Sequence, residues 1–264
     1  MRTYVRERRV VSLLGSLVRL VAPFAALVLG WQVVVMTGRF PAALLPGVGA
    51  VGHSLLSLAA DGSLVSATGI TLLRVLEGFA VGSVVGLIVG VGVGRSKFLG
   101  QLVMPLFSAV LPIPAVAWIP LLILWFGLGE RAILVLAVLT VTVPVAINVW
   151  GGVRSVPEVF VRAARSMGAG PIRTLYSIVL PGALPAILVG LRLGLASSWR
   201  AVVAGEMLAA AANGLGVLEL DASQYIQTGT VLAALVVVAV VSVIIEKVLF
   251  QTVARVTIER WGMS

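Results

Sequence analysis

The stretch RAARSMGAGPIRTLYSIVLP, residues 162–181, is polar and basic inside an otherwise apolar chain. Four of the chain's 19 basic residues fall between Arg154 and Arg173. A plain solvated turn between two helices would not require this pattern. The composition of the stretch therefore predicts a docking element for another protein.

Local signals around this stretch predict two short helices. The run SVPE at 155–158 matches a capping box with proline in the first turn, so a helix should start there. It would pass through Ala163 and Ala164 to Gly168, where a helix ends readily. Pro171 is suited to start a second short helix. The result would be an L-shaped element with little side-chain bulk at its corner.

Composition assigns the chain to the integral membrane proteins. Its residues are 60% hydrophobic and its mean hydropathy is +1.14, whereas soluble domains are roughly 45–50% apolar. The absence of cysteine excludes disulfides and thiol catalysis. A net charge of +9 could indicate nucleic-acid binding or membrane orientation. No soluble domain is left to bind nucleic acid, so we expect no such partner.

Hydropathy predicts an all-α fold with about six transmembrane helices, counting about 20 residues per span. We place them at 20–37, 69–94, 102–127, 131–152, 182–205 and 231–250. The chain 1–264 would then be one transmembrane domain, with an N-terminal tail at 1–19 and a loop at 153–181 between the fourth and fifth spans. The first apolar run is long and lacks a clear cleavage site, so we interpret it as a retained helix, not a signal peptide.

Charge distribution predicts the orientation of these spans. Thirteen basic residues form four groups that six spans place on one side: Arg2, Arg6, Arg8, Arg9 and Arg19; Arg95 and Lys97; Arg154, Arg162, Arg165 and Arg173; Arg255 and Arg260. The positive-inside rule makes that side cytoplasmic. Both termini and the loop at 153–181 are therefore expected in the cytoplasm.

A run of glycines marks the second span. They recur at every fourth position, which removes side chains along one helix face and lets another backbone approach closely; the positions are Gly78, Gly82, Gly86, Gly90 and Gly94. The pattern predicts helix packing within the chain, with a dimer contact as the alternative. It does not match a nucleotide-binding loop, so no ATP site is expected in this chain.

Prolines interrupt the third predicted span. Pro105, Pro112, Pro114 and Pro120 each remove a backbone donor from a strongly apolar segment. Within a membrane, such irregularity persists where protein or a water-filled path satisfies the freed carbonyls. The segment predicts either a broken helix beside a translocation pathway or a simple proline kink.

The docking stretch resembles a known family. Its spacing, Ala163-Ala164, three residues, Gly168, nine residues, Ile178, one residue, Leu180-Pro181, is similar to the EAA loop of permease subunits in binding-protein-dependent ABC importers. The resemblance extends over about residues 40–260 and is strongest to the nitrate, sulfonate and taurine branch. Further matching stretches are LLRVLEGFAVG from Leu72, AWIPLLILWFGLGE from Ala117, LPGALPAILVGLRLGL from Leu180 and GEMLAAAANGLGVLELDASQYIQT from Gly205.

One position departs from the family pattern. The glutamate that gives the motif its name is Arg162 here, so a salt bridge made by the family glutamate is not expected. The small residues that carry the packing are kept. The resemblance implies that the loop contacts a partner ATPase through Glu158, Arg162, Ala163, Ala164, Gly168, Arg173, Leu180 and Pro181.

The resemblance also implies an assembly and a location. We expect a type I importer-like fold in the bacterial inner membrane, a second copy of this chain as a homodimer partner, a pair of ATPase subunits, and an extracytoplasmic substrate-binding protein. ATP and magnesium would bind to the ATPase. This chain itself would hold no cofactor or metal and would catalyse no reaction.

Charged residues within the spans are candidates for the substrate path, since intramembrane charge is costly and often functional. The candidates are Arg74, Arg200 and Glu206, together with Trp199, the neighbour of Arg200 in the chain. Arg74 and Glu77 are three residues apart, which predicts a mutual ion pair as an alternative role. Arg200 could attract an anion or could extend toward the membrane surface.

These features predict the permease subunit of an importer for an aliphatic sulfonate, taurine or a nitrate-like anion. One alternative is an importer of another small nutrient, such as a thiamine-precursor pyrimidine. Another is an ion-coupled secondary carrier, which would need inverted repeats and buried midplane acids. No repeat is visible, and Glu77 is the plausible buried acid.

Overall fold

The computed structural model describes the backbone of residues 22–257 and the side chains of residues 22–248. The predicted tail at 1–19, with its five arginines, and Arg260 lie outside the described residues. Over the described part the predicted all-helical fold is confirmed, and no strand occurs there. The helices are α1 (Ala22–Met36), α2 (Val48–Ala60), α3 (Ser63–Gly94), α4 (Lys97–Val110), α5 (Ala115–Phe126), α6 (Glu130–Ser155), α7 (Glu158–Ser166), α8 (Pro171–Thr174), α9 (Leu180–Leu208), α10 (Leu215–Gln224) and α11 (Thr228–Thr257).

Four helical stretches are long and apolar enough to cross a membrane. They are α3, α6, the continuous stretch Pro171–Leu208 and the part of α11 at Thr228–Val248. A short π-helix, Leu175–Val179, joins α8 to α9. The fifth span therefore begins at Pro171 and not at residue 182 as predicted, which places its start inside the docking stretch. The first predicted span starts outside the described residues, and its described part is the shorter apolar helix α1.

Two helices between the spans were not predicted from the sequence. Helix α2 packs on α11 and α3, and helix α10 packs on α9, α11 and α3. Both are too short to span a membrane.

The glycine face of α3 packs directly on α6. Gly78 lies against Ala137, and Gly82, Gly86, Gly90 and Gly94 follow in order against Val141, Val145, Val149 and Val153. A Cβ atom added at Gly86 would lie 2.7 Å from the Cβ of Val145. Because the contacts advance in the same direction along both helices, α3 and α6 run parallel.

Helix α9 runs antiparallel to α6 and completes the core. Its Gly190 lies against Asn148, while Gly205, further along α9, lies against Ile133 near the start of α6. The largest buried side chains, among them Leu136, Leu195 and Val202, lie where α3, α6 and α9 meet.

The pair α4 and α5 is a broken membrane span. The two helices bend by 101° across residues 111–114, so the predicted third span is not one regular helix. Since α3 and α6 are parallel, the chain between them has to return from the end of α3 to the start of α6. Residues of the break line a cavity together with Thr140 and Pro144, which lie near the middle of α6.

Two ends of the bundle can now be named. The basic end carries the C-terminus of α3, the C-terminus of α6, and α7 with α8. The acidic end carries the start of α6, the C-terminus of α9, and α10.

Candidate functional site

Helix α7 projects from the basic end and closes with a Schellman motif. The amide of Ala169 donates to the carbonyl of Ala164 (3.0 Å), and the amide of Gly168 donates to the carbonyl of Arg165 (3.0 Å). Gly168 has φ of +84°, a left-handed conformation that glycine adopts without strain. Pro171 then opens α8 directly after the turn. The pattern explains why the corner of the element requires glycine.

This element exposes four large apolar side chains beside its charged residues. Val159, Phe160 and Met167 are 62%, 57% and 87% exposed, and Ile172 in α8 is also exposed. We call these four residues the docking surface. Ala163 is exposed and Ala164 half-buried beside it, so little bulk obstructs an approaching partner.

Arg162 forms an ion pair on the same helix. Its guanidinium donates to the Glu158 carboxylate at 3.0 Å, and both side chains are about three-quarters exposed. Arg162 thus bonds within α7, one turn from its partner. Arg173 is exposed on α8, and Leu180 with Pro181 forms the half-buried first turn of α9.

The predicted capping box is wrong. Ser155 is the last residue of α6, and its hydroxyl donates to the carbonyl of Gly152. Helix α7 begins at Glu158 with Pro157 as its N-cap and no side-chain cap. The physical reason is that α6 continues through Ser155, which keeps that residue helical and turns its hydroxyl back to its own helix.

A cavity of about 300 Å³ lies between α7 and the bundle. Arg95, Lys97, Arg154 and Arg165 line it, and Glu158 is its one acidic lining residue. Basic side chains from three separate chain segments therefore converge where α7 meets the bundle.

A buried ion network holds the acidic end. The guanidinium of Arg74 donates to Glu206 (Nη1 to Oε1, 2.6 Å) and to Glu130 (Nε to Oε2, 2.7 Å). Arg74 also donates to the carbonyl of Asn213 at 2.6 Å. The predicted ion pair between Arg74 and Glu77 is therefore wrong, because the acids of α6 and α9 approach Arg74 while Glu77 is exposed.

Glu206 is the buried acid of the network. It is 1% exposed and accepts hydrogen bonds from the Thr71 hydroxyl (2.9 Å) and the Gly216 amide (2.9 Å), besides Arg74. Glu77 was expected to be the buried acid, and Glu206 takes that place. The network ties α3, α6, α9 and α10 together.

Trp199 is buried in the apolar core rather than beside a cavity. It is 3% exposed and packs in the cluster that includes Ile133 and Leu195. Of the four substrate-path candidates, Arg74, Trp199 and Glu206 are thus enclosed by protein, and Arg200 lines a cavity.

Glu219 of α10 lies close to this network outside the spans. It is 6% exposed. Burial, and secondly the charge of Glu206, raises the pKa of Glu219 to about 7. Near neutral pH its carboxyl is therefore partly protonated, which reduces repulsion from Glu206.

The cavity that Arg200 lines lies at the break between α4 and α5. It measures about 240 Å³ and is lined by residues 110–115, Trp118 and parts of α6 and α9. The alternatives of a regular proline-kinked helix and a broken helix beside a path are thus resolved in favour of the break, and the break is next to a cavity.

Sequence comparison places these features in a known group. The description "Binding-protein-dependent transport system inner membrane component" belongs to a family that matches residues 82–256. This chain belongs to that family. Its members are ABC transporter permease subunits, which are not themselves enzymes. The inner-membrane description of the family and the several apolar helices make the chain a multi-pass protein of the plasma membrane.

Individual relatives agree with the family. The taurine transport system permease protein TauC of Escherichia coli is 33% identical over 86% of this chain and 84% of that protein. The putative aliphatic sulfonates transport permease protein SsuC of E. coli is 33% identical over 79% of each. The solved inward-facing MetNI methionine ABC transporter matches 74% of this chain and 95% of its own chain, with a TM-score of 0.63 and 22% identity. That likeness confirms the importer-type helical fold.

Proposed function

We propose that this permease subunit imports a small sulfonate, of the taurine or aliphatic-sulfonate type, and is driven by a separate ATPase that seats against the docking surface. The named relatives carry sulfonate solutes or their aminosulfonate analogue. The observation that carries the proposal is the apolar docking surface on α7 and α8. Exposed apolar side chains beside a cluster of basic residues suit contact with a protein partner better than contact with solvent or lipid headgroups.

The small residues of α7 support insertion into a cleft. Ala163 and Ala164 present methyl groups, and Gly168 turns the chain without a side chain at the corner. The Glu158–Arg162 pair would lie at the rim of such a contact. Arg173, Leu180 and Pro181 would form the part of the contact nearer the membrane.

The assembly would contain two copies of this chain, two ATPase subunits and an extracytoplasmic binding protein. ATP and magnesium would bind only to the ATPase. Closure of the ATPase pair would move the two docking surfaces together, and the helices of Pro171–Leu208 and α6 would carry that motion to the substrate path.

The orientation follows from the charges. The basic end, with Arg95, Lys97, Arg154 and the arginines of α7 and α8, would face the cytoplasm, and the acidic end would face outward. The absence of cysteine from the chain makes this directly testable. Met167→Cys at the basic end and Tyr225→Cys at the acidic end place single thiols at sites that are 87% and 76% exposed.

In spheroplasts, a membrane-impermeant maleimide should label Tyr225→Cys and should label Met167→Cys only after the membrane is opened. The reverse pattern would contradict the orientation.

The partner is tested by affinity purification of the tagged chain. Wild type should bring down an ATPase subunit, and Phe160→Asp should lose it because a carboxylate would be desolvated in the contact. Tyr225→Asp, an exposed aromatic residue at the other end, is the matched control and should retain the ATPase. An ion-coupled carrier would instead transport with no ATPase bound, and retention by Phe160→Asp would remove the docking surface from the account.

A further inference from the structure

The cavity at the α4–α5 break has a single charged side chain. Its lining residues are Val110 to Ala115, Trp118, Leu139, Thr140, Val143, Pro144, Ser197 and Arg200. Arg200 is the sole charge, and no carboxylate lines the cavity. The guanidinium of Arg200, which is exposed at the opening of the cavity, gives the cavity a positive potential.

Arg200 and Arg74 differ in their partners. Arg74 is neutralised by two carboxylates, whereas the ion pairs of the described side chains involve Arg74, Arg162 and Arg192 but not Arg200. The one hydrogen bond recorded for the Arg200 guanidinium goes to the Ser197 hydroxyl, at 3.2 Å. The remaining donors of its guanidinium fork are available to a ligand.

The broken helix adds a second positive contribution. Helix α5 starts at Ala115, which lines the cavity together with its N-cap, Pro114. The amide of Ala117 donates to the Pro114 carbonyl, and the amides before it lie ahead of the first intrahelical bond. The first amides of a helix and the positive end of its dipole favour an anion. In this way the 101° break presents a helix start at mid-bundle, where a continuous helix would have none.

The size and polarity of the cavity restrict which ligands can fit it. The cavity, about 240 Å³, is below the roughly 300–1,000 Å³ of sites for drug-sized ligands. The hydroxyl of Ser197 lies beside the guanidinium, while prolines and Trp118 form an apolar wall. This combination suits a compact oxyanion with a short apolar tail.

We infer that this cavity is a transient anion site on the translocation path, in which Arg200, Ser197 and the start of α5 hold the sulfonate group of the solute. The inference rests on the proposed import function and adds the site within the membrane. Planar, forked donors of arginine match the oxygens of such a group, whereas lysine provides a point charge only.

The test is binding of methanesulfonate to the purified full-length protein in nanodiscs. Binding is measured by calorimetry and by the fluorescence change of Trp118, which Trp118→Phe should remove. Wild type should bind methanesulfonate and not methylammonium. Arg200→Gln should weaken the affinity for methanesulfonate by about tenfold or more, as expected when a charged hydrogen-bond partner is lost. The affinity of Arg200→Lys should lie between those of wild type and Arg200→Gln.

Arg131→Gln is the matched control, because it removes an exposed arginine near the same end without touching the cavity. Its affinity should equal that of wild type. Equal binding by wild type and Arg200→Gln, or no binding by wild type, would overturn the site.

The two proposals fail separately. Arg200→Gln should keep its unfolding temperature and should still co-purify with the ATPase. If methanesulfonate binding is unaffected while the ATPase is retained, the site is wrong and the import function stands. If no ATPase is ever retained, the import function is wrong whatever the binding result.

Discussion

The acidic end and the basic end of the bundle hold their charges in opposite ways. At the acidic end Arg74 and Glu206 are buried and tied into hydrogen bonds from four helices. At the basic end Arg162 and Glu158 are exposed and pair only within α7. One end is a buried, hydrogen-bonded joint between helices, and the other leaves its charged side chains exposed to solvent.

This difference shows where charge supports the fold and where it serves contact. A buried ion pair is costly to break, since the remaining charge has lost its water. An exposed pair contributes little, because solvent already screens it. Stability should therefore depend on the acidic end, and partner binding should depend on the basic end.

The largest effect is expected from breaking the buried network. Arg74→Ala leaves Glu206 as an uncompensated buried charge, and it should reduce the free energy of unfolding by about 3–5 kcal/mol. Arg131→Ala, an exposed arginine at the same end, should change little. Thermal unfolding of the detergent-purified variants measures both. Equal unfolding temperatures for Arg74→Ala and Arg131→Ala would show that the joint is not structural.

The glycine seam between α3 and α6 connects the two ends and should rank second. Gly86→Ala would place a Cβ 2.7 Å from the Cβ of Val145, so the two helices would have to separate. This should reduce the free energy of unfolding by about 1–3 kcal/mol. Gly92→Ala is the control on the same helix, with no atom within 4 Å of the added Cβ. It should be neutral or slightly stabilising. A loss of stability at Gly92 as large as at Gly86 would indicate a helix-wide effect instead of the seam.

A pH effect should be specific to the acidic end. Because the folded-state pKa of Glu219 is raised to about 7, folding keeps a proton that the unfolded chain releases. The associated stability is complete below the unfolded pKa and is lost as pH rises through 7. The unfolding temperature should therefore fall by a few degrees between pH 5 and pH 8, and Glu219→Gln should flatten that fall. An unchanged pH profile in Glu219→Gln would assign the effect to other groups.

The smallest effect on stability is expected at the basic end. Arg162→Ala removes an exposed pair within one helix turn, so the free energy of unfolding should change by at most about 0.5 kcal/mol. A loss comparable to that of Arg74→Ala would remove the contrast between the ends. Thermal unfolding beside the Arg74 variant gives the comparison.

Local sequence patterns predicted part of this architecture. The fourfold glycine spacing showed which face of α3 has to pack, since periodicity is a property of one helix. The identity of the helix that fills it, α6, depends on a distant pairing that no local pattern encodes. Proline positions likewise predicted an irregular third span, while the size of its bend depends on packing against α6 and α9.

The site residues also divide into those that local sequence predicts and those that depend on distant contacts. Gly168 and Pro171 were predictable from turn chemistry within a few residues. The partners of Arg74 lie 56 and 132 residues away, so the nearby Glu77 was the apparent choice and was wrong. One signal could have predicted the pair of Arg74 and Glu206. Glu206 lies in an apolar span and needs a cation, and Arg74 is the buried arginine of the described spans.

The central claim is that the corner at Gly168 transmits ATP-driven motion to the substrate path. The most direct measurement is taurine uptake by proteoliposomes that contain the chain with its ATPase and binding protein, with ATP on the side of the ATPase. Gly168→Val strains a residue at φ of +84°, whereas Gly170→Val places the same side chain at φ of −68°, which valine tolerates.

Uptake should require ATP and should fall by about tenfold or more in Gly168→Val, in the usual range of coupling between sites, while Gly170→Val stays close to wild type. Full uptake by Gly168→Val, or uptake without ATP, would contradict the account.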